Sequence, residues 1–207
     1  MKLSPQTLFA TLAVATLAGC GTQSSHRAAK PPCCEESNAP TMFTDKSIYQ
    51  TESTWTTDQQ KQIKLGELSG RPQVVAMFFV NCQFACPIIV NDMKRIETAL
   101  SPELRPRIGF TLFSFDARRD TPAALAGYRR ARALPDHNWT LLCGRPDDVL
   151  ELAVLLGIQY KEVARGQFAH SNVITILNAQ GEIVRQQVGL DQDIQEMVRL
   201  IQQLAAK

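Results

Sequence analysis

The sequence feature that most constrains the fold is an uninterrupted apolar run from Val74 to Val80. Its length and its valine and phenylalanine content are typical of a strand, and the absence of polar alternation indicates burial on both faces. A strand buried in this way requires covering layers above and below it. We therefore expect residues 74–80 to lie at the centre of a sheet that helices cover.

The segment after Pro87 has the pattern of an amphipathic helix that packs on this sheet. Its apolar residues recur at helical spacing and share one stripe: Ile89, Met93, Ile96 and Leu100. Further helices are predicted at residues 122–134, at residues 146–157 and after Asp191. Further strands are predicted near residues 107–115, 139–142, 158–163, 172–177 and 182–188.

Two short β-prone segments precede the apolar run. Residues 48–49 and residues 63–65 flank a polar stretch, and this arrangement predicts an N-terminal hairpin. Strands that alternate with helices and then give way to a hairpin and a last helix are typical of an α/β fold. We expect a mixed central sheet flanked by helices, with the N-terminal hairpin added to it.

The first twenty residues have the pattern of an export signal. Lys2 precedes a short apolar stretch, and the order Leu17-Ala18-Gly19-Cys20 resembles the lipobox of bacterial lipoproteins, whose cysteine is lipidated. We expect a lipid anchor at Cys20 on the extracytoplasmic, periplasmic side of a membrane. The predicted organisation is a signal peptide, a lipid-anchored flexible tether and a folded domain, at residues 1–19, 20–46 and 47–207.

Charge and motifs exclude several classes of function. With 22 Lys and Arg against 20 Asp and Glu, the chain lacks the basic excess of proteins that bind nucleic acids through phosphates. It also lacks a phosphate-binding glycine-rich loop, a G-x-S-x-G elbow and an H-E-x-x-H motif. We expect no nucleic-acid partner.

Two of the six cysteines form the pattern that most strongly indicates a functional site. Cys82 and Cys86 are four residues apart where the predicted central strand gives way to a helix. This spacing can place both sulfurs beside the first helical turn, where backbone amides favour thiolates. The pair could bind one metal ion or form a disulfide, and the alternative is two buried cysteines that act as small apolar residues.

The rest of the chain limits which metal such a pair could bind. A structural zinc site usually has four protein ligands, and no second cysteine pair with matching spacing is present. Two thiolates and one imidazole instead suit copper. Of the three histidines, His26 lies in the predicted tether, His137 lies in a polar loop, and His170 precedes a strand. The residues alone leave a ligand role and a structural role open for His170.

Three segments together resemble the Sco/SenC family: residues 82–87, residues 114–122, and His170-Ser171 followed by the turn at residues 178–181. The resemblance runs from about residue 47 to the C-terminus. It implies a thioredoxin-like fold in which Cys82, Cys86 and His170 bind one copper ion. It also implies a metallochaperone that delivers copper to cytochrome c oxidase, or reduces the cysteines of its binuclear copper site, with the oxidase's copper-binding subunit as partner.

The sequence departs from the family pattern beside the expected ligands. Gln83 and Phe84 stand where the family commonly has Pro and Asp, and Ala169 stands where it has an acidic residue. The smaller number of carboxylates near the site favours a redox function of the dithiol, or a client protein other than the oxidase. The alternatives are therefore an extracytoplasmic thiol-disulfide oxidoreductase or peroxidase, with Cys82 attacking and Cys86 resolving, and a copper sensor or storage lipoprotein.

Several residues outside the Cys82–Cys86 pair and His170 are also given predicted roles. Asp116 and Asp120 are interpreted as turn and capping residues, and Cys143 as a core thiol. Adjacent Cys33 and Cys34 could reduce the main site or relay metal to it. Five arginines are interpreted as a solvated surface of the second helix and its loop: Arg118, Arg119, Arg129, Arg130 and Arg132.

Overall fold

The apolar run forms an internal strand of a seven-stranded sheet, as predicted, but the strand ends at Phe78, two residues before the end of the run, and lies next to the middle strand of the sheet. The structure is a computed structural model, and it describes residues 43–206. Its strands are β1 (Thr54–Thr57), β2 (Gln62–Lys64), β3 (Gln73–Phe78), β4 (Gly109–Ser114), β5 (Trp139–Gly144), β6 (Tyr160–Ala164), β7 (Gln167–His170), β8 (Val173–Leu177) and β9 (Ile183–Val188). Its α-helices are α1 (Ala85–Ala99), α2 (Pro122–Arg132), α3 (Pro146–Leu155) and α4 (Gln195–Ala205).

The large sheet is mixed and has the strand order β2-β1-β5-β4-β3-β8-β9. The central strands β3, β4 and β5 run parallel to one another, and β8 runs antiparallel to β3. The predicted N-terminal hairpin is present as β1 and β2, and it extends the sheet beyond β5. Strands β6 and β7 pair only with each other, in a separate two-stranded hairpin.

The core lies where the apolar strands meet the helices. Every residue of β3, β4 and β8 is buried, because these strands carry almost continuous apolar runs between covering layers. The predicted stripe of α1 is buried along its whole length, and α1 packs on β3 and β8 and contacts α4. The expectation of a mixed sheet flanked by helices is therefore confirmed.

The start of the described chain differs from the prediction. Ile48 and Tyr49 form a single 3₁₀ turn rather than a strand, because the Ser47 hydroxyl accepts the Tyr49 backbone N–H and caps that turn. The first strand of the hairpin is β1, which begins six residues further along the chain, at Thr54.

Arg129 corrects the interpretation of the α2 arginines as solvated. Its guanidinium forms an ion pair with Asp58, with Nη2 2.9 Å from Oδ1, and both side chains are largely buried. It also donates to the carbonyl oxygens of Pro135 and Trp139. Arg129 therefore connects α2, β5 and the turn of the N-terminal hairpin.

Replacing Gly181 with alanine is expected to lower the free energy of unfolding by about 3 kcal/mol. Gly181 ends the predicted turn after β8 with a φ of +82°, and an added Cβ would lie 2.4 Å from the Tyr49 ring. Urea unfolding would measure the loss. Gly157→Ala is the control, because Gly157 has a similar φ of +63° but open space around it. Equal losses in the two variants would contradict the steric contribution of Tyr49.

Several predictions concern residues that the structure does not describe. The signal peptide, the lipid anchor at Cys20, the tether up to residue 42, His26 and the Cys33-Cys34 pair lie outside the described residues, whereas residues 43–46 of the predicted tether are described, and Phe43 packs against Tyr49. Within residues 43–206, no helix is both long enough and apolar enough to cross a membrane.

Candidate metal centre

The two central cysteines lie in the connection between β3 and α1. A turn follows β3, in which the Cys82 backbone N–H donates to the Phe79 carbonyl oxygen at 3.2 Å. The helix begins at Ala85, two residues before the predicted start at Pro87. Proline is tolerated there because the first four backbone N–H groups of a helix have no intrahelical partner.

The Cys82 sulfur occupies the open end of α1. The backbone N–H of Cys86 donates to Cys82 Sγ at 3.3 Å, so this sulfur satisfies one of the unpaired amides of the first turn. Cys82 is buried with a small exposed edge, and Cys86 is fully buried. The helix start thus positions one sulfur near the surface and the other behind it.

His170 completes the group from the separate hairpin. Its position was predicted as a loop, but Gln167–His170 forms strand β7, and His170 pairs with Tyr160 of β6. His170 Nδ1 lies 3.0 Å from the Ser171 carbonyl oxygen. A carbonyl oxygen only accepts, so Nδ1 donates this hydrogen bond, and Nε2 is the nitrogen that faces Cys86 Sγ, at 3.8 Å.

The ligand atoms of Cys82, Cys86 and His170 all lie within 4.8 Å of one another. The structure therefore brings together the three residues singled out in the sequence, and they form a group that could hold a copper ion. His137 is exposed in its loop and does not belong to this group. Cys143 is buried, as predicted for a core thiol.

The two thiols have opposite acidities. The Cys86 thiol donates a hydrogen bond that favours the Cys82 thiolate, and together with nearby backbone N–H groups it lowers the pKa of Cys82 to about 4. The same hydrogen bond, together with burial, raises the pKa of Cys86 well above its ordinary value. The proton that the pair shares therefore stays on Cys86, and Cys82 is a thiolate at neutral pH.

Aromatic rings surround the imidazole. The ring centroid of His170 lies 5.0 Å from that of Phe115 and 6.1 Å from that of Phe79. Phe168 contacts both of these phenylalanines, with centroids 5.1 and 5.2 Å away. The packing of β7 against the residues that directly follow β3 and β4 is thus aromatic, and the local sequence does not predict it because these rings are far apart along the chain.

Asp120 is a buried acceptor rather than a cap. Its Oδ2 accepts the Val80 backbone N–H at 2.9 Å and the Ser114 hydroxyl at 2.6 Å, and burial raises its pKa. The cap of α2 is Thr121, whose hydroxyl accepts the Ala124 N–H. Asp120 therefore ties the chain just before Cys82 to the end of β4.

The segment between the two cysteines is uncharged and largely exposed. Phe84 is 83% exposed, more than any other large apolar side chain in the described part of the chain. Gln83 beside it is also exposed. The segment between the two cysteines, Gln83 to Ala85, thus carries no carboxylate and exposes an aromatic ring.

A dithiol at the start of a helix, beside a mixed sheet, is typical of a thioredoxin-like domain, and the imidazole opposite the two sulfurs makes the group a candidate thiolate–imidazole metal site. The SCO1/SenC family model matches residues 43–206. This chain belongs to the SCO1/SenC family. No curated protein sequence matches it significantly.

Solved structures share the fold. A SCO1/SenC family lipoprotein from Bacillus anthracis str. Ames has a TM-score of 0.68 and 21% identity, and the match covers 79% of this chain and 99% of that chain. Copper-bound yeast Sco1 has a TM-score of 0.63 and 19% identity, with coverages of 75% and 87%. BsSco, a member of the Sco family of cytochrome c oxidase assembly proteins with an identified disulfide switch, has a TM-score of 0.65 and 20% identity, with coverages of 74% and 91%. These matches confirm the expected thioredoxin-like fold.

Proposed function

We propose that this protein binds one copper ion through Cys82, Cys86 and His170. The observation that carries the proposal is the convergence of two sulfurs and one imidazole nitrogen within 4.8 Å. Reduced copper prefers soft sulfur ligands and low coordination numbers, and imidazole also suits copper. The copper bound to the related yeast Sco1 supports this assignment.

The acidities of the two thiols suit a site that loads and releases its ion. Cys82 is already a thiolate at neutral pH, so metal binding releases a proton only from Cys86. The exposed edge of Cys82 lies toward the surface, where ligands of another protein could replace those of this site. These features support copper transfer by ligand exchange.

The client that we propose is the binuclear copper site of cytochrome c oxidase, to which the protein would deliver copper or whose cysteines it would reduce. Family membership supports this choice, because the related BsSco belongs to a family of cytochrome c oxidase assembly proteins. We further propose that a lipid on Cys20 anchors the protein on the periplasmic side of a membrane. The lipobox pattern of Leu17 to Cys20 supports the anchor.

A Cu(I) competition titration tests the proposed ligands. The full chain, with Cys33→Ser and Cys34→Ser to remove the other adjacent thiols, is reduced and challenged with a coloured chelator. We expect one tightly bound copper per chain. Removing a thiolate with Cys82→Ala is expected to weaken affinity at least about a hundredfold, and His170→Ala about tenfold, because sulfur is the stronger ligand for Cu(I).

The matched control for the histidine is His137→Ala, which removes an exposed imidazole outside the group. It should bind copper like the parent protein. Unchanged copper affinity in both Cys82→Ala and His170→Ala would refute the proposed site. Normal oxidase activity in a copper-limited deletion strain would instead argue against delivery to the oxidase while leaving the copper site intact.

A second function, thiol-disulfide exchange, is favoured by the unequal acidities of the same pair. Cys82 has the thiolate needed for attack, and Cys86 lies within reach to resolve a mixed disulfide. If the titration shows weak copper binding while the dithiol cycles between its reduced and disulfide forms, this second function becomes the main one.

A further inference from the structure

The three proposed ligands come from two parts of the fold that share no strand pairing. Cys82 and Cys86 belong to the connection between β3 and α1, which the large sheet anchors. His170 belongs to the β6–β7 hairpin, which pairs with no strand of that sheet. The position of the imidazole relative to the sulfurs therefore depends on the short link from His170 to β8, where the Gly189 N–H donates to the Asn172 carbonyl oxygen, and on side-chain contacts between the hairpin and the rest of the domain.

Arg119 makes the central polar contact of this kind. Its Nε donates to Asp116 Oδ2 at 2.6 Å, and its Nη2 donates to Glu162 Oε1 at 2.7 Å. Asp116 is buried in the loop after β4, whereas Glu162 lies on β6. One guanidinium thus joins the loop next to the sheet to the hairpin that carries His170, and its side chain remains partly exposed.

Two further contacts extend from this bridge toward the histidine. Glu162 Oε1 also accepts the backbone N–H of Gly166 at 2.8 Å, in the turn between β6 and β7. The guanidinium carbon of Arg119 lies 5.7 Å from the ring centroid of Phe168. Phe168 and His170 are two residues apart on β7, so their side chains lie on the same face of the strand.

We propose that Arg119 is a positioning residue for the metal centre: through Glu162 and Phe168 it holds the β6–β7 hairpin so that His170 faces the two sulfurs. The inference rests on the proposed copper site. Weakening the bridge lets the hairpin occupy positions in which Nε2 is withdrawn from the sulfurs. The observed affinity then falls in proportion to the fraction of molecules that remain competent to bind.

The test uses Glu162→Gln in the full chain, in the Cys33→Ser, Cys34→Ser background. Glutamine keeps an acceptor for Gly166 but removes the charge that faces Arg119. Cu(II) is the probe, because its EPR spectrum reports nitrogen ligation. We expect about a threefold to fivefold loss of Cu(II) affinity, which is the effect expected from losing an exposed ion pair. In the EPR spectrum, the component that lacks the imidazole nitrogen should increase. Arg119→Lys, which keeps the charge beside Asp116 but loses the planar fork, should act in the same direction.

Glu196→Gln is the matched control. Glu196 forms an ion pair of the same length with Arg185, at 2.7 Å, between β9 and α4, and neither residue lies on the hairpin. Its loss should leave both the affinity and the EPR spectrum unchanged.

A double-mutant cycle separates positioning from general stability. If Arg119 acts through His170, Glu162→Gln should change nothing in a His170→Ala background. The same loss of affinity with and without His170, or no loss in either Glu162→Gln or Arg119→Lys, would overturn the inference while leaving the copper site intact. An unchanged affinity in His170→Ala alone would instead refute the ligand set, and the inference with it.

Discussion

Alkylation of Cys82 by iodoacetamide is expected to proceed at nearly the same rate at pH 6 and at pH 8. The thiolate is the reactive species, and a pKa of about 4 keeps Cys82 ionised across this interval. An ordinary thiol with a pKa near 9 would react about a hundredfold faster at pH 8 than at pH 6. Because the pKa is depressed, the reactivity of Cys82 should decline only as the pH falls through about 4.

Peptide mapping by mass spectrometry after timed quenching would measure this rate separately from those of the other cysteines. The informative variant is Cys86→Ala, which removes the thiol donor and should raise the pKa of Cys82. Its alkylation rate should then increase with pH between 6 and 8. A flat profile in this variant would show that Cys86 does not stabilise the thiolate, and a steep profile in the parent protein would show that Cys82 is an ordinary thiol.

Asp58→Ala is expected to lower the free energy of unfolding by about 3–5 kcal/mol, as is typical of breaking a buried ion pair. The side chains of Asp58 and Arg129 are 4% and 12% exposed, so the variant leaves a largely buried guanidinium without its counter-charge. Chemical denaturation of the full chain, followed by circular dichroism, would give the difference.

Two control variants test whether the loss of stability comes from the unpaired buried charge. Glu196→Ala breaks a half-exposed ion pair and should lower the free energy of unfolding by less than about 1 kcal/mol. The double variant Asp58→Leu, Arg129→Met removes both charges and should recover part of the lost stability. If the double variant is as unstable as the sum of its two single variants, the unpaired charge is not the cause.

Local patterns were sufficient to predict the elements that carry the sulfurs. The apolar run of β3 and the stripe of α1 are periodic over many residues, and a cysteine pair at their junction is visible without knowledge of the fold. The hairpin of His170 was harder to predict. Strand β7 has four residues that alternate between exposed and half-buried, and such a short strand resembles a loop in the sequence.

Contacts between distant segments could not be predicted in this way. Arg119 and Glu162 are 43 residues apart, and Arg129 and Asp58 are 71 residues apart. Nothing in the local sequence distinguishes these arginines from their solvated neighbours, because the counter-charges become adjacent only when the strands assemble. The same holds for Asp120, whose partner is the backbone of Val80 rather than a nearby helix end.

The Cys86 backbone N–H donates to the Cys82 sulfur. The charge and oxidation state of that sulfur are therefore thermodynamically linked to the stability of the first turn of α1. Any reaction that withdraws charge from the sulfur weakens the acceptor at the start of α1. By reciprocity, whatever stabilises that turn favours the reduced, charged sulfur. The buried stripe of α1 belongs to the core. Oxidation or reduction of the Cys82 sulfur therefore affects, through this hydrogen bond, the start of a helix that packs in the core.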